Sequence, residues 1–141
     1  MPGLSDKIAI ITGASSGIGY ATAKRFAQEG AHVVVGVRRQ PELNALIEEI
    51  TRASGHAVAL AGDVKSEAFA KALVELAMDC FGGLDIAFNN ASTTGETGSI
   101  LDMSIAEWED TLSPNLTSAF VSAKHQIRPC SARVVDRSFS R

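Results

Sequence analysis

The chain has 141 residues, enough for one core, and its 45% hydrophobic and 21% charged residues exclude a disordered or fibrous class. A net charge of -3 gives no reason to expect a nucleic acid or an anionic membrane as partner. Two distant cysteines, Cys80 and Cys130, argue against a disulfide scaffold and for a reducing compartment. His32, His56 and His125 lack neighbouring ligands at metal spacing, so no metal site is expected. The N-terminus has no basic leader and no run approaches membrane-span length, so the expectation is a soluble cytoplasmic domain with no membrane partner.

Short β-branched runs alternate with longer stretches of helical periodicity. Lys7–Thr12 predicts the first strand, and Tyr20–Glu29 a helix closed by Gly30. Ala31–Val37 predicts the second strand, and Pro41–Ala53 a helix with proline in its first turn, ending near Gly55. Ala57–Ala61 predicts the third strand. Ser66–Phe81 follows, with Phe69, Leu73, Leu76 and Cys80 as its buried stripe and Gly82-Gly83 as its stop. Leu84–Asn89 predicts the fourth strand. A polar loop over Ser92–Ser99 follows, and then Ser104-Ile-Ala-Glu107 reads as a capping box opening another helix. Pro114 is expected to interrupt that helix, with a second restarting and running to about Ile127.

From Arg128 the amphipathic period disappears. Residues 125–141 hold Arg128, Arg133, Arg137 and Arg141 against one acid, Asp136, with a weak strand seed at Arg133–Val135. The reading is therefore a domain over 1–127 and an atypical, disordered tail over 128–141, of the kind a shifted reading frame or unusual splice produces. Strand–helix–strand alternation with wholly apolar strands predicts an α/β fold with a parallel sheet covered on both faces.

The decisive segment is Thr12-Gly-Ala-Ser-Ser-Gly-Ile-Gly19, an apolar strand feeding a glycine cluster that opens a helix. Glycines allow a tight turn and close backbone approach, and the first helical N–H groups aim unpaired donors outward, which suits a dinucleotide pyrophosphate. With it go Asp63-Val64 after strand three, Asn89-Asn90-Ala91 after strand four, and Asn115-Leu116 with Phe120 in the next helix. These motifs resemble those of the short-chain dehydrogenase/reductase family, over about residues 5–127. The resemblance implies a Rossmann-type doubly wound parallel sheet, incomplete here, in the order 3-2-1-4 with later strands missing.

The resemblance also implies a cofactor cradle. Gly13, Ser15, Ser16, Gly17, Ile18 and Gly19 would surround the phosphates, Asp63 would meet the adenine amino group and Val64 its ring, and Asn90 and Ala91 would approach the adenosine ribose. Strand two ends in Arg38-Arg39, with no acid before Glu42. Guanidinium groups there predict NADP rather than NAD, with NAD possible and Arg38 the favoured contact over Arg39. Ser92 stands where the family pattern has glycine and would be strained if that position needs positive φ.

The implied activity is hydride transfer between an alcohol or carbonyl substrate and the nicotinamide. Asn115 matches the asparagine of the family's Asn-Ser-Tyr-Lys tetrad, with the role of holding a water in the proton relay. The family's Tyr-x-x-x-Lys has no counterpart at the expected position. Tyr20 and Lys24 match its spacing, but they lie on the pyrophosphate helix at the wrong end of the cofactor. Ser138 or Ser140 would be the catalytic serine only if Arg133–Val135 were a strand, which its surroundings disfavour. The expectation is cofactor binding without turnover, and homo-oligomerisation through the helix ending near Ile127. The alternative is a non-catalytic nucleotide-binding fragment or regulatory partner of a full-length subunit.

Overall fold

The computed structural model describes residues 3–138, with side chains through Ala132. Four strands, β1 (Ile8–Thr12), β2 (His32–Val37), β3 (His56–Ala61) and β4 (Ile86–Phe88), form one all-parallel sheet in the order β3-β2-β1-β4. This is the Rossmann-like arrangement anticipated from the apolar strand runs. The helices are α1 (Gly17–Gln28), α2 (Gln40–Arg52), α3 (Glu67–Phe81), α4 (Ile105–Leu112) and α5 (Ser118–Ser138).

Central strands with both faces covered need apolar side chains at every position, and β1 is buried along its whole length. Its alternation divides the core. Ile11 joins Val33, Val35, Leu43, Leu46 and Ile50 on the α1–α2 face, while Ile8 and Ile10 join Val34, Phe69, Leu73 and Leu84 on the α3 face. Gly36 of β2 makes room for α3, since a Cβ there would sit 3.0 Å from Leu73.

Several boundaries differ from expectation for local reasons. The stripe of α3 is Phe69, Ala70, Leu73, Val74 and Ala77, whereas Cys80 is exposed near the left-handed Gly82 cap. The left-handed residue after α2 is Ser54, at φ 63, while Gly55 lies so close to Ile50 that a Cβ would be 2.7 Å from its Cγ2. Pro114 falls between α4 and α5, as expected, but the second helix runs on beyond Ile127. A wide π turn over Ser113–Thr117 absorbs the missing N–H and leads into α5.

The segment expected as a tail from Arg128 onward begins inside α5. Residues 128–138 continue α5 through Pro129, and Cys130 packs on the α3-side core, where burial, then the Asp85 charge, pushes its thiol pKa up. Arg133–Val135 is therefore helical rather than a strand seed. Among the described residues no helix is long and apolar enough to cross a membrane.

Candidate functional site

Parallel strands release their loops at one sheet edge, and here those loops enclose a cleft of about 620 Å³. Its floor is the turn from β1 into α1. Thr12, buried at the strand end, uses its Oγ1 to accept the backbone N–H of Asn90 at 3.1 Å and of Ala91 at 3.2 Å. One hydroxyl thereby pins the exit of β4 beside the exit of β1. Asn90 Nδ2 returns a bond to the Gly13 carbonyl at 3.4 Å.

This closeness explains the glycines. A Cβ on Gly19 would run into the Gly13 carbonyl and sit 2.8 Å from Asn90 Nδ2, so Gly19 lets α1 approach the turn. Gly17 adopts φ +58, yet a Cβ there would meet nothing within 4 Å; that space belongs to the cleft. Ser16 stands at the N-cap of α1 without its side chain capping the helix, which leaves the first-turn donors free of that competitor.

Of the residues singled out in the sequence, Gly13, Ser15, Ser16, Gly17 and Ile18 line the cleft, as do Arg38, Asp63, Val64, Asn90 and Ala91. Gly19 lies beneath it. Arg39 caps α2 and is exposed away from the lining. Asn115 sits behind the lining residue Pro114, where its Oδ1 accepts the Thr93 N–H at 2.7 Å and its Nδ2 donates to the Thr93 carbonyl at 2.6 Å. Ser92 does not adopt positive φ, so serine in place of glycine carries no strain. Lys65 also faces the cleft but was not singled out; a basic residue two positions after Asp63 was the available signal.

Tyr20 lies on the α1 side facing α2. Its hydroxyl donates to Glu49, which also accepts from Lys24. The Glu49 bond is the main cause that pushes the Tyr20 pKa up, the opposite of what an acid–base tyrosine near neutral pH requires. The side chain of Ser138 and all of Ser140 lie outside the described residues.

A family model described as short chain dehydrogenase matches residues 7–134. The chain belongs to the short-chain dehydrogenase family. The match continues past Ile127, in keeping with the unbroken α5. Cyclohexanol dehydrogenase of Acinetobacter sp. (strain SE19) is 37% identical over 123 residues, covering 87% of this chain and 49% of that protein. Glucose 1-dehydrogenase 2 of Bacillus subtilis (strain 168) is 37% identical over 122 residues, covering 86% and 47%. Among solved structures, L-sorbose reductase from Gluconobacter frateurii, complexed with NADPH and L-sorbose, superposes with a TM-score of 0.87 at 34% identity, covering 94% of this chain and 50% of that one. The chain thus spans about half the length of the short-chain dehydrogenases it matches.

Proposed function

We propose that the cleft of this short-chain dehydrogenase chain binds a nicotinamide dinucleotide, NADP in preference to NAD, for interconversion of an alcohol and a carbonyl in the whole protein. The observation that carries the reading is the empty space before Gly17, at the uncapped start of α1 and open to Arg38 across the same cleft. The residues present fit such a group. Gly13, Ser15, Ser16, Gly17 and Ile18 receive the pyrophosphate, Gly19 sets the approach of α1, and Asp63, Val64, Asn90 and Ala91 receive the adenosine. When bound, the nicotinamide supplies the hydride chemistry.

Arg38 lines the cleft and answers a 2′-phosphate with charge-assisted hydrogen bonds, with Arg39 contributing to the field from the α2 cap. Asn115 holds the Thr93 loop beside the cleft and keeps one amide N–H and a lone pair beyond those bonds, enough to hold a relay water. No tyrosine other than Tyr20 occurs in these 141 residues, and Tyr20 is bonded to Glu49 away from the cleft. As they stand, they bind the cofactor without turnover.

Calorimetric titration with NADP⁺ and NAD⁺, paired with an NADPH-oxidation assay over a carbonyl panel, tests this. Tighter NADP⁺ binding with no oxidation is expected, and Arg38→Gln lowers the preference for NADP⁺ by about tenfold. Equal or tighter NAD⁺ binding overturns the cofactor preference, and sustained NADPH oxidation overturns the absence of turnover.

A second reading rests on α5 and the π turn before it, where Leu116, Phe120 and Ile127 are exposed. An apolar surface of this kind favours association of the chain with itself or with a full-length subunit. A concentration-independent monomer mass in sedimentation equilibrium counts against self-association.

A further inference from the structure

Lys65 follows Val64 in the loop between β3 and α3, and it lines the same cleft as Arg38. The topology puts these cations on neighbouring walls. β2 and β3 pair in parallel up to Val37 and Ala61, and the Gly62 N–H donates to the Val37 carbonyl at 2.9 Å. The two strands therefore part at one level, Arg38 leaving the first and Gly62–Lys65 leaving the second.

Asp63, two residues before Lys65, lines the same cleft and carries the wrong sign for a phosphate. Its carboxylate is tied to its own loop. Oδ1 accepts the Lys65 backbone N–H at 2.9 Å, and Oδ2 lies 3.6 Å from Lys65 Nζ. Both side chains are nearly half-exposed, so this ion pair is weak and its lysine is easily redirected. A phosphate monoester with up to two negative charges outcompetes one carboxylate for an ammonium group on a flexible stem.

Resting on the NADP reading above, we propose that Lys65 is a second specificity-determining residue, offsetting Asp63 in the free protein and pairing with the 2′-phosphate opposite Arg38 when the cofactor binds. An NAD site gains nothing from a cation here, because the ribose 2′-hydroxyl is neutral. Lys65 thus acts on the difference between the two nucleotides rather than on nucleotide binding in general.

The test is calorimetric titration of the wild-type chain and the variants Lys65→Gln, Lys65→Arg and Lys71→Gln with NADP⁺ and NAD⁺ at low and high salt. Lys71 is the charge control, since it pairs with Glu75 along α3. Lys65→Gln is expected to weaken NADP⁺ binding about five- to tenfold and to change NAD⁺ binding less than about twofold. The NADP⁺ loss shrinks at high salt, Lys65→Arg restores most of it, and Lys71→Gln leaves both affinities as they were. If the wild type favours NADP⁺ but Lys65→Gln leaves the ratio unchanged, or weakens both nucleotides equally, the role of Lys65 is overturned and the Arg38 reading stands. If the wild type favours NAD⁺ or binds neither, the reading of the whole cleft falls, and Lys65 with it.

Discussion

The β1–β2 region and the stretch from Ser92 to Leu112 wall the same cleft but are held in different ways. Strands β1 and β2 are buried almost throughout, with Leu43, Leu46 and Ile50 of α2 and Ala23 and Ala27 of α1 laid over one face. Neither α4 nor the 3₁₀ turn Ile100–Asp102 before it buries a single residue. The second stretch instead relies on local hydrogen bonds. A capping box joins Ser104 and Glu107, and the amide of Asn115 clamps Thr93. Packing is cooperative and hydrogen-bonded caps are local, so one wall is stiff and the other opens at low cost.

The largest test of this contrast is Leu46→Ala. Leu46 is fully buried between α2 and the sheet, so truncation leaves a cavity and is expected to cost about 2–5 kcal/mol, read from urea unfolding. A loss below about 1 kcal/mol would show that the α2 face collapses without penalty and that the stiff wall is not stiff.

Thr12→Val sharpens the junction between the walls. It keeps the shape of a buried side chain but removes the acceptor for the Asn90 and Ala91 N–H groups. The Asn90 N–H keeps the Phe88 carbonyl at 3.0 Å, but the Ala91 N–H loses its acceptor, at an expected cost of about 1–3 kcal/mol. It also loosens the cleft floor, so NADP⁺ affinity falls together with stability. Retention of full affinity in a destabilised variant would separate the strand-end pin from the cradle.

How far the sequence carried depends on which force decides each element. The run Ala31–Val37 gave a strand within a residue or so of its bounds, because a buried parallel strand must be continuously apolar, and Ala57–Ala61 did so as a half-buried edge strand paired along its whole length with β2. β4 came out shorter than Leu84–Asn89, since it is a sheet edge where Asn89 turns its side chain to exchange two bonds with Gln126 at 2.9 Å. Proline is a strong local signal yet a poor guide to what a long helix tolerates. At Pro114 a π turn absorbed it, and at Pro129 α5 continued, with Cys130 packed on the core. In the cleft, the glycines and strand-end motifs were legible because backbone geometry demands them. The facing of Lys65 and the Thr93 clamp were not, because periodicity says nothing about where a loop side chain points.

A smaller effect is expected from Glu49→Gln, which probes the α1–α2 side through pH. Hydrogen bonds from Lys24 first, and Tyr20 second, hold the Glu49 carboxyl below its ordinary value. A carboxylate whose pKa is depressed by folding stabilises the fold above its unfolded pKa, and that contribution is lost as pH falls through the folded one. Wild type and variant should therefore differ most near neutrality and converge in acid, in urea midpoints measured from pH 7 down to pH 3. A gap that widens in acid would reverse the sign and refute the pairing as its cause.

The smallest effect is predicted for Trp108→Ser in α4. A tryptophan that packs in a core costs several kcal/mol to truncate, but Trp108 is 53% exposed and Ile105, one turn earlier, is 73% exposed. Among the helices and strands, theirs packs chiefly on the π turn that follows it, with Thr111 beside Gly95 of the preceding loop. Truncation is therefore expected to move stability by no more than about 0.5 kcal/mol, with any change in hydrogen exchange confined to α4. The same substitution also removes exposed apolar area, so if this surface meets another subunit, the dimer fraction in sedimentation changes while the unfolding of dilute chain does not. A loss above about 2 kcal/mol in dilute monomer would mean that α4 is cooperatively packed after all, and the two walls would no longer differ in kind.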